Sequence, residues 1–411
     1  ASIVVNGDTS GAVTLSAPAV AGTVTVTLPT TTGTMLTTAS TTGISGSAIS
    51  SGTVPEAYGG TGTSTGYYGF KNRIINGAMV IDQRNAGASV TVNSTGQTFP
   101  VDRFFGTGQS SDGVFTLQQS STVPAGFAKS VVATVTTADA SIGASQNYLF
   151  RQRIEGYNIA DFNWGSADAR PVTLSFWVRS SLTGTFGGTL HNSAGDRFYP
   201  YSYTISTANT WEQKTITLAG DTTGTWLTTD GIGLNVIWSL GTGSTLLAPS
   251  SAWTATTYTG FTGQTNLIGT NGATFFITGV QLEKGSTATS FDYRPFGTEF
   301  MLCQRYYQQI THAGSTITYI IGPAYDSTNI FNMSVYSLPV TMRSAPTFST
   351  AGTFILADGL GNNPTVNTLT LSSMSMPNSF TASIVSSGMT TGRVYFLLST
   401  ASSALKISAE L

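Results

Sequence analysis

Charge is what this chain has least of. Lys and Arg number 17 and Asp and Glu 19, together 9% of 411 residues, where an average soluble domain carries roughly 25%. The surface must then be built from hydroxyls, amides and glycine, of which there are 46. Such a skin suits neutral, hydroxyl-rich partners or a structural role. A net charge of −2 without any Lys/Arg run lacks the electrostatic footprint expected for nucleic acid or an anionic membrane. No apolar run approaches the ~20 residues that span a bilayer, so the chain is not expected to insert in a membrane. The N-terminus lacks the basic-then-apolar order of a signal peptide, which implies synthesis in a cytoplasm. Ala1 and Ser2 are what remains when an initiator Met before a small residue is trimmed, as expected of a complete translation product, although a chain cut at that point would begin the same way. A single cysteine, Cys303, excludes an intrachain disulfide framework. Beside Met301 and Leu302 it is expected to be buried and inert. His191 and His312 are far apart, and neither sits among Cys, Asp and Glu at ligand spacing. No metal site, cofactor or His-based nucleophile is expected.

What the sequence does have is alternation. In Arg170 to Gly220, Val172, Leu174, Phe176 and Val178 fall on one side of an extended chain, with Thr173, Ser175, Trp177 and Arg179 on the other. Tyr199, Tyr201 and Tyr203 follow at a spacing of two, then Ile216 and Leu218. Three strands in about fifty residues is the pitch of an all-β sandwich. Upstream, VFTLQQSS and SVVATVTT alternate, and Tyr148, Phe150 and Gln152 oppose Leu149, Arg151 and Arg153. YNIADFNWGSA has room for one short helical turn. Downstream, Leu234, Val236, Trp238 and Leu240 are in phase, and ATFFITGVQLEKG places Phe276, Val280 and Leu282 on one face and Phe275 and Ile277 on the other. Eight to ten strands over 66–296 fit a jelly roll or related two-sheet sandwich.

The remaining segments flank this head. Residues 1–65 carry two short alternating runs, Val13 with Leu15, and Val24 and Val26 with Leu28. A ribbon that small cannot offset ~1 to 2 kcal/mol of backbone entropy per residue alone. The reading is a thin β-rich stalk wound from several copies of the chain; a flexible linker is the alternative. In the lead-in from residue 66, Ile74 and Met79 flank Asn76-Gly77, a tight-turn dipeptide, and Val80, Asp82 and Arg84 continue an extended run. Arg73, Asp82, Arg84, Asp102 and Arg103 concentrate charge there, read as ion pairs fixing the register of stalk and head. Residues 297–411 form a second, smaller β unit. It opens on a short segment with Leu302, Tyr306 and Tyr307 near helical spacing and closes on Leu405, Ile407, Ala409 and Leu411, a C-terminus pinned into a sheet. The fold class is thus all-β: N-terminal stalk, central jelly-roll-like sandwich, C-terminal β domain.

Candidate chemistry is sparse. Glycosidase action needs two carboxylates about 5 to 9.5 Å apart. Glu155 with Asp161, Asp221 with Asp230 and Glu283 with Asp292 lack a supporting motif, so no enzyme is expected. Aromatic side chains in polar loops are more telling, because sugar rings stack their apolar faces on them while hydroxyls meet amides. Trp226, Trp253 and Tyr258, with Tyr199 and Tyr201 in RFYPYSY, have that setting. Trp177 and Trp238, inside strands, read as core.

Several segments resemble the tail-fibre or receptor-binding proteins of tailed bacteriophages, particularly of aquatic phages and related prophages. They are SIVVNGDTSGAVTLSAPAVAGTVTVTLP, GTVPEAYGGTGTSTG, NRIINGAMVIDQRNAG and GVQLEKGSTATSFDYRPFGTEFMLCQRYYQ followed by LPVTMRSAPT, spanning residues 1 to about 347. The resemblance implies a homotrimeric virion fibre docked by its N-terminal end on a tail, head or neck protein. It further implies a carbohydrate-binding-like sandwich and a distal tip meeting host-surface polysaccharide or lipopolysaccharide. A structural head, neck or collar fibre is the alternative, and a polysaccharide depolymerase a third. Residues 348–411 match no motif.

Overall fold

β-Branched and aromatic residues at a spacing of two make strands wherever one face can be buried. The computed structural model describes residues 2–6, 12–16 and 70–411, apart from 94, 109–111, 250, 312–316, 327–328, 331–335, 359, 362–365, 372–375, 381 and 400–402. The chain divides into two compact units, Ala1–Thr53 and Val54–Leu411. In the first, β1 (Ser2–Asn6) pairs antiparallel with β2 (Ala12–Ser16), which contains the Val13/Leu15 alternation. The run through Val24, Val26 and Leu28 lies outside the described residues, as do His312 and the GGTG element.

The second unit is built on a two-sheet sandwich, so the expected all-β class holds. Its strands are β3 (Val90–Val92), β4 (Thr98–Val101), β5 (Phe104–Gly108), β6 (Val114–Ser120), β7 (Ser130–Thr137), β8 (Asn147–Glu155), β9 (Val172–Ser180), β10 (Gly184–His191), β11 (Phe198–Ile205), β12 (Glu212–Leu218) and β13 (Ile232–Thr242). Two short strands, β14 (Leu247–Ala248) and β15 (Gly260–Phe261), precede β16 (Thr274–Lys284). Sheet I runs β11-β10-β13-β8-β5-β4 and sheet II β12-β9-β16-β7-β6-β3. The chain crosses between the two repeatedly, as in a jelly roll. Two 3-10 turns, Gly156–Asn158 and Ala160–Phe162, occupy the segment expected to be briefly helical.

Between the sheets, Val172, Leu174, Phe176 and Val178 of β9 are fully buried, and Leu174 lies opposite both Ile216 and Leu282. Sheet I answers with Phe150, Val236 and Trp238, the Trp238 ring lying 6.1 Å from Phe150 and 5.7 Å from Phe176. One expected phase is corrected in β16. Phe275 and Ile277 share the core face with Val280 and Leu282, while Phe276 is only half-buried. A bulge between Thr278 and Gln281, with Gly279 at φ 61°, inserts the residue that shifts the alternation.

The lead-in also departs from expectation. Asn76-Gly77 does turn the chain, with Asn76 at φ 61° and the Met79 amide donating to the Asn76 carbonyl. No strand follows over Val80–Arg84; instead the buried Asn76 side chain donates to the Ile81 and Asp102 carbonyls and accepts from the Ile81 amide. Gly77 is obligatory, since a Cβ there would lie 2.1 Å from the Val280 oxygen at the bulge. Four of the five clustered charges form ion pairs, two of them with Glu410 near the end of the chain, while Asp82 accepts from the backbone amides of Arg84, Asn85 and Gly87. Arg84 meets Asp102 and Glu410, Arg103 meets Glu410, and Arg73 meets Asp161.

After β16, the helix α1 (Phe296–Gln304) ends before Tyr306 and Tyr307, and Tyr307–Thr311 is already a strand. The C-terminal strand Ala404–Ser408 lies between Tyr307–Thr311 and Thr347–Ala351, with Leu405 and Ile407 buried. This region is tied to sheet I by Glu155 at the end of β8, which accepts from Arg305 Nε at 2.9 Å and Tyr306 Oη at 2.6 Å. Breaking such a buried pair strands its partners. Glu155→Ala is expected to cost on the order of 3 kcal/mol, read as a lower urea midpoint; an unchanged midpoint would show the clasp to be idle.

Candidate glycan-contacting surface

The aromatic residues singled out from sequence separate into three environments. Tyr201 is core: it is 1% exposed and its hydroxyl donates to the Ile237 carbonyl at 2.7 Å. Gly188 beside it makes the room, because a Cβ there would lie 2.5 Å from the Tyr201 ring. A residue so enclosed has no face for a sugar, which removes Tyr201 from the candidate set. Trp226, at 8% exposed, is likewise packed. Its ring lies 4.7 Å from Trp164 and 5.4 Å from Trp253, all edge-to-face, and its Nε1 donates to the Thr223 carbonyl. These rings plug the side of the sandwich beside edge strand β11. Only their rim is accessible: Trp253 and Tyr199 are half-buried, 5.1 Å apart, and Trp253 Nε1 donates to the Ala219 carbonyl. Arg197, 6.0 Å from the Trp253 ring, is held by both Asp221 oxygens at 2.7 Å. Tyr258 is half-buried on the same loop as Trp253 but stands outside the ring cluster.

A second surface was not read from sequence. On the outer face of sheet I, cross-strand pairing aligns two rows of side chains. One row is Phe105, Arg151, Ile237, Thr189 and Pro200; the other runs Arg153, Asn235, His191 and Phe198. Arg151 and Arg153 sit over the Phe105 ring at 5.0 and 5.3 Å. Arg153 Nε donates to Asn235 Oδ1 at 3.3 Å, and Arg151 Nη2 to Thr107 Oγ1 at 3.2 Å. The His191 ring stacks 5.0 Å from Phe198. Its Nδ1, 2.7 Å from the Asn192 carbonyl, must carry the proton, which leaves Nε2 as an acceptor. The flanks of the face are covered, at one side by Gln264 bonded to Ser239 and at the other by Leu411 bonded to Arg153. Arg151, Arg153 and His191 remain half-buried between.

The electrostatics follow from that enclosure. Burial, then the neighbouring Arg153, lowers Arg151 to about 10. Burial lowers His191 to about 4, with Arg151 and Arg153 adding to the effect. Elsewhere burial raises Asp102 to about 6 against the pull of Arg84, and it pushes the enclosed Cys303 thiol well above its usual range. Of the carboxylates weighed for glycosidase action, Glu155 is held by Arg305 and Tyr306, Asp161 by Arg73 and Lys284, Asp221 by Arg197, and Glu283 by Thr289 and Gln281. Among the described residues no three His, Cys, Asp or Glu gather to hold a metal, and no helix is long and apolar enough to cross a membrane.

No family model matches the chain, and no curated protein matches it. Among solved structures, the enzymatically active domain of bacteriophage CBA120 tailspike protein 4 is 14% identical with a TM-score of 0.27, over 52% of this chain and 22% of that one. The family 11 carbohydrate-binding module of the Clostridium thermocellum cellulase Lic26A-Cel5E is 10% identical with a TM-score of 0.24, over 50% of this chain and 99% of that one. The N-terminal cellulose-binding domain of Cellulomonas fimi β-1,4-glucanase C is 11% identical with a TM-score of 0.21, over 49% and 91%.

Two outcomes are expected. Trp226→Ala should cost roughly 3 kcal/mol in urea denaturation and Trp253→Ala clearly less, since only Trp226 is enclosed; equal costs would mean that the plug is not layered as described. For His191, the unfolded chain takes up its proton near 6.5 and the folded chain only near 4. Stability from this group is therefore fully present above about 6.5 and lost as pH falls toward 4. Asp102, raised in the fold, works oppositely over its own window, so the wild type is compared with His191→Asn. The variant's Tm should fall by about 3 to 6 °C less between pH 7 and 4.5, and parallel pH curves would contradict the burial of His191.

Proposed function

We propose that this protein is a homotrimeric virion fibre of a tailed bacteriophage that attaches to the host cell by binding surface glycan. The observation that carries the glycan reading is the outer face of sheet I. Its half-buried Arg151, Arg153 and His191 present side-chain donors and an acceptor, backed by the buried Phe105, Asn235 and Phe198, on a strand-built, rigid floor. Imidazole and guanidinium groups are chemistry that meets sugar hydroxyls. Trp253 and Tyr199 provide a second aromatic edge. Residues 1–65 are the stalk and virion-attachment segment, 66–296 the carbohydrate-binding head and 297–411 the distal tip. The fibre sits on a tail, with head or neck docking the alternative, and carries no catalytic role.

Assembly into a trimer is supported by apolar side chains left in water where the head begins. Phe70, Tyr293 and Phe296 are 62%, 56% and 65% exposed. Tyr293 and Phe296 line a cavity of about 260 Å³ together with Arg294, which lies 5.9 Å from the Phe70 ring. Neighbouring copies cover such patches, and three weak glycan contacts become firm attachment by multivalency. Sedimentation of the full chain should give a trimer, and Phe296→Asp should shift it toward monomer. The trimer should adsorb to host cells at least about 100-fold more tightly than the variant. A monomeric wild type, or a trimer that binds neither host cells nor extracted surface polysaccharide, overturns the reading, the latter in favour of a spacing fibre.

A further inference from the structure

Seven of the twelve arginines, Arg73, Arg84, Arg103, Arg197, Arg294, Arg305 and Arg393, form an ion pair with a carboxylate. Arg151, inside β8, does not. Its side-chain hydrogen bond goes to the Thr107 hydroxyl, its Nε is buried with no partner, and its nearest charged neighbour is another cation, Arg153. Among the described residues no acid stands against it. Arg153 is partly balanced, since Glu410 acts on it, yet its neighbours also include Arg103. Two like charges two residues apart on one strand face, half-withdrawn from water, are unfavourable in the unliganded protein. An oxyanion seated against the guanidinium ends would relieve the repulsion.

The geometry also readies these groups for such a ligand. Phe105 lies under both guanidinium groups at 5.0 and 5.3 Å, so their heads are held against an aromatic face and less side-chain freedom is lost on binding. The guanidinium fork matches carboxylate, phosphate and sulfate oxygens. Along the second row, the acceptor Nε2 of His191 stands where a hydroxyl of the same sugar would meet it, its ring stacked on the buried Phe198, while the buried Asn235 holds Arg153 in place.

We propose that the outer face of sheet I selects an anionic saccharide, seating a carboxylate, phosphate or sulfate substituent of the glycan against Arg151 and Arg153. This rests on the glycan-binding reading and narrows it to acidic polymers. In a chain of net charge −2, the selectivity comes from this local pair rather than from the overall field.

The test uses the full-length protein and three probes in calorimetry: an oligogalacturonate, a sulfated dextran oligomer and a neutral dextran oligomer. At about 50 mM NaCl at least one acidic probe should bind about 10-fold or more tightly than the neutral one. That advantage should shrink at about 0.5 M NaCl. Preference between the first two probes tells a carboxylate from a sulfate-like ligand. Arg151→Gln should remove the advantage, and the wild-type salt titration provides a readout that does not depend on the variant folding. If the neutral probe binds as well as the acidic ones, or the acidic advantage ignores salt, the anionic site is wrong while glycan binding stands. If none of the three binds yet the trimer still adsorbs to host polysaccharide, the anionic site fails and the glycan reading survives; loss of every saccharide interaction overturns both.

Discussion

The clasp on Glu155 is the contact on which the rest of the second unit depends. A chain with so few charges places them where segments distant in sequence meet, and β8 ends at such a place. The buried Glu155 carboxylate takes Arg305 and Tyr306 from beyond α1. Nearby, Glu410 takes Arg84 and Arg103, and Glu299 takes Arg294. Each carboxylate joins residues more than a hundred positions apart, or closes the turn that does so. Because desolvated charges tolerate no other partner without large loss, these pairs fix one arrangement of lead-in, sandwich and last strand. The same strand that ends at Glu155 carries Arg151 and Arg153, so the clasp and the outward face share a single rigid element.

That face owes its form to sheet order more than to local sequence. Five strands contribute one side chain each to the first row and four to the second, and the rows are aligned because the opposite side of the same strands is locked in the core by Phe150, Trp238 and Tyr201. A slip of one residue would bury the arginines and expose the rings. The Trp164, Trp226 and Trp253 plug performs a separate task, sealing the sandwich beside β11 and leaving only Trp253 and Tyr199 at its rim.

The alternation in β9, β11 and β13 was legible because one face of each strand is wholly apolar, and the two-sheet sandwich followed from the pitch of such runs. The phase of β16 was not, since Gly279 gives no pattern that distinguishes a bulge from a continuing strand. Val80–Arg84 misled for a related reason: its apolar and polar residues alternate, yet the Asn76 side chain holds that backbone outside any sheet. Among the aromatic candidates, loop context could not tell Trp226 from Trp253, as both lie between Thr, Ser and Gly. The spacing of Arg151 and Arg153 was visible in the sequence. What it could not show is that β13 and β10 lie beside β8 and bring Asn235 and His191 alongside, because that order arises from crossings between two sheets.

Hydrogen exchange of the full-length protein, with and without extracted host-surface polysaccharide, tests the central claim most directly. The account predicts slowed exchange in Leu149–Arg153, Gly187–His191 and Asn235–Ser239, together with the 197–199 edge. Protection confined to residues beyond 311, with these strands unchanged, would contradict it and move recognition to the C-terminal region.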